Sequence, residues 1–194
     1  MKKYLIGITG GIGSGKSIIA SILRILGYKV YDCDNVAKLL MDNNPNIKTA
    51  ISTQISPLVI SKNGEINRQL LADLVFNNND LLSILNKIVH GAVLSDLLQW
   101  KEKEQQTILF VETAILYSSG INYIVDEVWE ITAPENTRIN RVVKRNNTTP
   151  DKVKSRITSQ KTTNYQKHLN THIINNDDTS LILPQVLLLL NNLK

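Results

Sequence analysis

A short glycine-rich segment near the amino terminus has the residue types and the spacing that bind a triphosphate. Residues 10–17 read Gly-Gly-Ile-Gly-Ser-Gly-Lys-Ser and fit the pattern G-x-x-x-x-G-K-[ST]. Glycines let consecutive backbone N–H groups point inward as an anion nest, and a helix that starts there adds its own unpaired N–H groups. Lys16 is placed for the β- and γ-phosphates and the Ser17 hydroxyl for Mg²⁺. The motif predicts a nucleoside triphosphate site.

The sequence around this segment predicts the elements that would hold it. Tyr4–Thr9 is apolar and β-branched, which is typical of a buried strand. Ser17–Leu26 has the pattern of a helix, and Gly27 is placed to end it. The order strand, glycine loop, helix is the setting that the phosphate-binding motif requires.

Two carboxylates follow the second predicted strand, Lys29–Asp32. They are Asp32 and Asp34, and a helix is predicted after them. In a parallel sheet ligands lie beyond the carboxyl ends of the strands, so this pair is expected to face the same crevice as the glycine loop. One of the carboxylates is well placed to take a proton from an acceptor hydroxyl. Alternatively, Asp34 only caps the next helix; the spacing leaves both readings open.

The next part of the chain is predicted to be mostly helical, and we interpret residues 35–105 as an acceptor-binding insert. Asp80–Leu98 has the apolar periodicity of a helix that His90-Gly91 could interrupt and that could extend to Lys103. This much helix is too long for a single crossover connection between two strands of a nucleotide-binding sheet.

Beyond the insert, an acid and three arginines are further candidates. Thr107–Glu112 is an apolar strand that ends in an acid, the arrangement that holds a water ligand of Mg²⁺ in phosphate-loop proteins. Arg138, Arg141 and Arg145 follow the fourth predicted strand on one helical face. A solvated basic face is the usual explanation for such a set, but small-molecule kinases carry a mobile lid at this place. Residues 138–168 are therefore predicted to be a lid.

Composition limits the partners and the compartment. The 194 residues carry a formal net charge of +5, which suits small polyanionic substrates, without the Lys/Arg runs or modules that bind nucleic acid. Cys33 is the only cysteine, the amino terminus leads directly into the first strand, and the longest apolar stretch is too short to cross a bilayer. We expect a cytoplasmic protein without membrane or nucleic-acid partners, as a monomer or small homo-oligomer.

Several stretches distributed along the chain match the pattern of one family. They are residues 6–17 (I-G-I-T-G-G-I-G-S-G-K-S), 31–34 (Y-D-C-D), 64–76 (G-x-x-x-R-x-x-L-x-x-x-V-F), 85–90 (L-N-K-I-V-H), 156–160 (R-I-T-S-Q) and 174–176 (I-N-N). Together they resemble dephospho-coenzyme A kinases, which transfer the γ-phosphoryl group of ATP to the ribose 3′-hydroxyl of dephospho-coenzyme A. No N-K-x-D guanine signature is present, which disfavours a GTPase.

The resemblance implies a P-loop NTPase fold of the α/β class. We expect three α/β/α layers with a five-stranded parallel sheet, a helical acceptor-binding insert and a helical lid within one kinase domain of residues 1–194. ATP and dephospho-CoA are the expected substrates, with Mg²⁺. The family pattern is not matched everywhere: Gly91 replaces a proline, Ala114 another, and Ser118 an acid.

The resemblance also implies roles for individual residues. The expected catalytic residues are Asp34, Lys16, Arg141 and Arg145. The expected ATP-binding residues are Gly11, Ile12, Gly13, Ser14, Gly15, Lys16, Ser17 and Asn176, the last of them beside the adenine. The expected acceptor-binding residues are Asp32, Arg68 and His90, with Asp32 as the alternative base and His90 equally explained as a packed helix residue. The expected Mg²⁺ ligands are Ser17 and, through water, Glu112.

Overall fold

The computed structural model describes residues 2–161, 168 and 170–193. Its strands form one five-stranded sheet in the order β2-β3-β1-β4-β5. They are β1 (Tyr4–Thr9), β2 (Lys29–Asp32), β3 (Ile108–Glu112), β4 (Glu127–Thr132) and β5 (Thr171–Asn175). The α/β class and the five-stranded parallel sheet with flanking helices confirm the predicted fold.

The helices described are α1 (Lys16–Ile25), α2 (Cys33–Asn43), α3 (Pro45–Gln54), α4 (Arg68–Phe76), α5 (Asn79–Lys103), α6 (Glu135–Asn146), α7 (Pro150–Lys161) and α8 (Ile182–Asn192). Short 3₁₀ turns lie at Pro57–Val59 and Ile121–Tyr123. The chain separates into two compact units, one of residues 1–31 and 105–194 and the other of residues 32–104.

The first unit contains β1 and the strands that pair with it. β1 lies between β3 and β4 in parallel register, with Ile8 opposite both Glu112 and Trp129. Because β1 is flanked by strands on both sides, its residues from Leu5 to Thr9 are all buried. Phe110 and Trp129 meet edge to face beneath it with ring centroids 5.2 Å apart, and both are fully buried.

The second unit, residues 32–104, is helical and has a core of its own. Ile47, Ile51 and Val59 are buried there, and side chains of α4 and α5 pack against them. The unit comprises α2, α3, α4 and α5, with a 3₁₀ turn between α3 and α4. Its bounds lie within three residues of the insert interpreted from the sequence as residues 35–105.

The interruption considered at His90-Gly91 is wrong, because α5 runs unbroken from Asn79 to Lys103. A glycine inside a helix costs only about 1 kcal/mol relative to alanine. Ile88 and Ala92, on either side of Gly91, pack into the core of the second unit, and this packing outweighs that cost. The possible extension to Lys103 is confirmed.

α5 is also long and apolar enough, by length and composition, to cross a membrane. Its most apolar window has a mean hydropathy of 1.4. Core helices of soluble proteins meet the same criterion, and this helix places Leu81, Leu85 and Ile88 against the core of the second unit. Only 11% of that window is buried, so packing within the second unit accounts for part of the apolar character of α5.

Candidate active site

The glycine loop leaves β1 at Thr9 and enters α1 at Lys16. Gly13 and Gly15 have φ angles of 77° and 95°, in the left-handed region that glycine adopts without a steric penalty. A Cβ on Gly13 would lie 2.5 Å from the carbonyl oxygen of Arg138, so the loop also passes very close to the backbone of α6. The glycines in the motif are therefore required both by backbone conformation and by close packing.

Lys16 is the first residue of α1, and its side chain turns back over the loop. Its Nζ donates to the carbonyl oxygens of Gly10 at 2.9 Å and Gly11 at 3.4 Å. The ammonium group therefore lies at the loop, beside the amino end of a helix. Both features favour an anion at this position.

Three successive carbonyl groups of the loop accept hydrogen bonds from outside it. Arg138 Nε donates to the oxygen of Ile12 at 2.8 Å, and Arg141 Nη1 donates to that of Gly13 at 3.4 Å. Asn176 Nδ2 donates to the oxygen of Ser14 at 2.7 Å. The loop is thus held between α6 and the residue that follows β5.

The arginines of α6 do not share one environment. Arg141 Nη2 donates to the backbone oxygen of Asn176 at 3.1 Å and to its Oδ1 at 3.0 Å, and it pairs with the Asp178 carboxylate. Arg145 is exposed and bonds its neighbour Asn146 at 3.0 Å. Burial lowers the pKa of the Arg138 guanidinium below its ordinary value, and nearby Glu135 opposes that shift. Arg138 and Arg141 therefore face the loop, whereas Arg145 faces solvent.

The predicted lid spans two helices that pack on each other. Ile139 and Val142 of α6 are buried against Val153 and Ile157 of α7, and Ile12 of the glycine loop packs against the same cluster. Asn147, with φ 47°, separates the two helices. Residues 162–167, which the lid prediction also covers, lie outside the described residues.

The predicted Mg²⁺ ligands lie on neighbouring elements. Glu112 is the last residue of β3, pairs in register with Ile8 of β1, and is partly buried. The backbone N of Thr113 donates to the oxygen of Ile8 at 3.0 Å, so β3 and β1 stay joined up to the point where the loop leaves. Ser17 is exposed in the first turn of α1. Hydroxyl and carboxylate oxygens are ligands suited to Mg²⁺.

In the second unit, Asp32 and Asp34 have different environments. Asp32 is the N-cap of α2, and its Oδ1 accepts from the backbone N of Asn35 at 3.0 Å. Asp34 lies in the first turn of that helix and is exposed. The alternative in which Asp34 caps the helix is therefore wrong. α2 begins at Cys33, which puts Asp32, rather than Asp34, at the capping position.

The two other acceptor-side candidates also lie in the second unit. Arg68 is the first residue of α4, and its Nη2 lies 2.7 Å from Asp42 Oδ1 in a half-exposed ion pair. His90 lies within α5, and partial burial lowers the pKa of its imidazole from the ordinary value of 6.5. The imidazole is therefore neutral at pH 7.

Two contacts of the site lie outside what the sequence predicted. Asp178 pairs with Arg141, and Asn176 donates to the loop carbonyl of Ser14. Asn176 is only 3% exposed. No spacing rule joins Ser14 to a residue 162 positions later, so only the topology of the sheet reveals this contact.

A parallel sheet whose first strand passes through a glycine loop into a helix, with Lys16 at the loop, defines a P-loop nucleotide-binding protein. The family model described as dephospho-CoA kinase matches residues 4–181. A relative named dephospho-CoA kinase from Porphyromonas gingivalis is 36% identical, covering 97% of this chain and 94% of the relative.

Solved structures agree with this match. A protein of Thermus thermophilus has a TM-score of 0.81 and 27% identity, covering 100% of this chain and 97% of its own. A dephospho-CoA kinase from Campylobacter jejuni has a TM-score of 0.66 and 26% identity, covering 98% and 96%. The chain belongs to the dephospho-CoA kinase family, which phosphorylates dephospho-CoA with ATP in the final step of CoA biosynthesis.

Proposed function

We propose that this chain transfers the γ-phosphoryl group of ATP to the ribose 3′-hydroxyl of dephospho-CoA, giving CoA and ADP. The observation that carries the proposal is the family match over residues 4–181 in a chain whose phosphate-binding loop is complete. The match supports the reaction, and the complete loop supports our assignment of residues 10–17 as the donor site.

On the donor side, the loop N–H groups and Lys16 hold the β- and γ-phosphates. Phosphoryl transfer passes through a loose, in-line transition state, so the protein contributes mainly positioning and charge stabilisation. The acceptor oxygen forms the new bond to the γ-phosphorus, and the bond between that phosphorus and the β–γ bridging oxygen breaks. The electron pair of this bond leaves with ADP. Lys16, whose Nζ donates to Gly10 and Gly11 at the loop, is our candidate for stabilising the charge that develops on the leaving group.

Mg²⁺ fits the residues at the loop. The exposed Ser17 hydroxyl would supply one hard oxygen ligand, and Glu112 at the end of β3 would act through water. No group of three or more His, Cys, Asp or Glu side chains suited to a metal occurs among the described residues. Bound there, the ion would neutralise charge on the β- and γ-phosphate oxygens.

On the acceptor side, we assign Asp34 as the group that orients the 3′-hydroxyl and takes its proton. Asp34 is exposed in the first turn of α2, whereas Oδ1 of Asp32 already accepts a helix-capping hydrogen bond. The capping hydrogen bond ties the Asp32 carboxylate to the start of α2, which favours Asp34 over Asp32 as the base. Arg68 and His90 bind dephospho-CoA in this scheme, the half-exposed arginine through its charge and the neutral imidazole through hydrogen bonding.

Arg141 and Arg145 are the proposed lid arginines that stabilise the transferring phosphoryl group. Arg141 donates to Gly13 and Asn176, so it would reach the phosphoryl group by giving up part of these contacts. Arg145 lies one turn further along α6 and is exposed. Guanidinium groups suit this task because their planar donor fork matches phosphate oxygens. We further propose a cytoplasmic monomer or small homo-oligomer that acts on small molecules and binds neither nucleic acid nor membranes.

Identification of the product tests the proposal. The protein is incubated with ATP, Mg²⁺ and dephospho-CoA, and the product is analysed by mass spectrometry and ³¹P NMR. We expect CoA with its phosphate on the 3′-oxygen. A 2′-phosphate or a phosphorylated pantetheine chain would contradict the assigned acceptor atom. Lys16→Ala is the control for a contaminating kinase, since this variant should form no product.

A further inference from the structure

Asn176 joins the end of β5 to the phosphate-binding loop. Its backbone N donates to the oxygen of Thr132 at 2.8 Å, which extends the pairing of β4 and β5 by one residue. Its side chain then reaches the loop, where Nδ2 donates to the Ser14 oxygen at 2.7 Å. Its Oδ1 accepts from Arg141 at 3.0 Å, so the nitrogen and the oxygen of the amide each have a partner.

The Asn176 amide contacts the loop closely, and both sides of the contact are buried from solvent. Asn176 is 3% exposed and Ser14 is 1% exposed. A Cβ on Gly15 would overlap Asn176 Nδ2, so the glycine at this position makes room for the amide. The Ser14 hydroxyl has no hydrogen-bond partner among the described residues. Ser14 is therefore held through its backbone, and its carbonyl group is the part that Asn176 holds.

The position of that carbonyl group determines the direction of an N–H group in the loop. A peptide unit is planar, and in the trans form its C=O and N–H groups point in opposite directions. Holding the Ser14 oxygen towards Asn176 therefore turns the Gly15 N–H group to the opposite side. An anion nest requires its N–H groups to converge on the ligand, so the orientation of this peptide unit bears directly on phosphate binding.

We propose that Asn176 is a positioning residue that sets the Ser14–Gly15 peptide unit for binding the polyphosphate of ATP. It acts through the Ser14 carbonyl group, and Arg141 holds the amide in place. This inference rests on the proposed ATP site. It differs from the sequence-based assignment of Asn176 to the adenine, because both ends of the amide are already occupied by the loop and by α6.

Asn176→Asp tests the proposal with little change of shape. The carboxylate can still accept from Arg141, but it replaces the donor to the Ser14 oxygen by an acceptor and adds a negative charge, which the Asn175→Asp control adds as well. Asn176→Ala removes both contacts and serves as the second variant if the aspartate variant folds poorly. Asn175→Asp is the matched control, because Asn175 is exposed at the end of the same strand and its Oδ1 accepts from Thr132.

The measurement is the dissociation constant of ATP and that of inorganic tripolyphosphate, which has no base, in the absence of dephospho-CoA. Both should rise about tenfold in Asn176→Asp, equivalent to about 1.4 kcal/mol, a typical value for one hydrogen bond. The KM for dephospho-CoA and both constants of Asn175→Asp should stay at wild-type values. The melting temperature is recorded for every variant.

Two outcomes would overturn the proposal. Weaker binding of ATP with unchanged binding of tripolyphosphate would mean that Asn176 contacts the base. Unchanged binding of both ligands, whatever the melting temperature, would mean that Asn176 only stabilises the fold. Failure of the proposed function would look different, since wild-type protein would then bind ATP without phosphorylating dephospho-CoA.

Discussion

Replacing Gly13 by alanine tests whether the glycine loop is shaped by its contact with α6. Gly13 has φ 77°, and a Cβ there would lie 2.5 Å from the oxygen of Arg138 and 3.0 Å from its Cα. Both atoms belong to the backbone of α6, so the clash cannot be relieved by a change of side-chain rotamer. Either the loop or the helix must move.

The cost follows from two terms. A left-handed backbone costs an alanine roughly 1–2 kcal/mol, and overpacking against rigid neighbours typically costs about 1–3 kcal/mol. We therefore expect Gly13→Ala to lower the free energy of unfolding by about 3 kcal/mol, or the melting temperature by roughly 6–12 °C for a chain of this size. Because the displaced loop carries the phosphate-binding N–H groups, the affinity for ATP should fall more than about tenfold.

Gly91→Ala is the matched control. Gly91 is exposed within α5, and a Cβ there would meet no atom of the described chain within 4 Å. This change should stabilise the protein by about 0.5–1 kcal/mol and leave ATP binding unchanged. Thermal unfolding and calorimetric titration with ATP measure both quantities. A Gly13→Ala protein with wild-type melting temperature and ATP affinity would refute the close contact between the loop and α6.

Three further predictions concern the second unit. Asp34→Asn should lower kcat by about 10²–10⁴-fold with little change in the KM for dephospho-CoA, because it removes a proton acceptor; a change confined to KM would mean that Asp34 only binds. Arg68→Ala should raise the KM for dephospho-CoA at least about tenfold but cost less than about 1 kcal/mol of stability, since its ion pair with Asp42 is half-exposed. Asp42→Asn is its control. An Arg68→Ala protein in which only the KM for ATP changes would contradict the assignment of Arg68 to dephospho-CoA binding. Burial lowers the pKa of His90 from 6.5, so below that pH the unfolded state binds a proton more readily than the folded state does. The free energy of unfolding should therefore fall as the pH drops from about 7 to 5, and it should fall more steeply than in His90→Asn. The same pH dependence in both proteins would mean that burial does not lower the pKa of His90.

The elements of the sheet were predictable because each strand has a strong local signal. Tyr4–Thr9 and Lys29–Asp32 agree with the predicted bounds. Gly27, with φ 89°, follows α1, as its type predicts. Apolar β-branched runs, glycines at helix ends and the phosphate-loop motif each depend on only a few neighbouring residues. They can therefore be recognised in a single sequence.

Features that depend on tertiary packing were not predictable in the same way. The uninterrupted α5 depends on the packing of Ile88 and Ala92 on either side of Gly91. The choice of Asp32 over Asp34 as the helix cap depends on whether α2 begins at Cys33 or two residues later. The contact between Asn176 and Ser14 depends on β5 lying beside β4, which no local pattern encodes.

The most direct test of the central claim is a coupled assay of ADP release with dephospho-CoA present and absent. We predict ADP release at a rate that depends on dephospho-CoA, with one ADP for each CoA formed. Lys16→Ala should lower that rate by orders of magnitude while its circular dichroism spectrum stays unchanged, because Lys16 is only partly buried and lies outside the apolar core. ADP release that is equal with and without dephospho-CoA, or that persists in Lys16→Ala, would contradict the assignment of this loop as the donor site of a dephospho-CoA kinase.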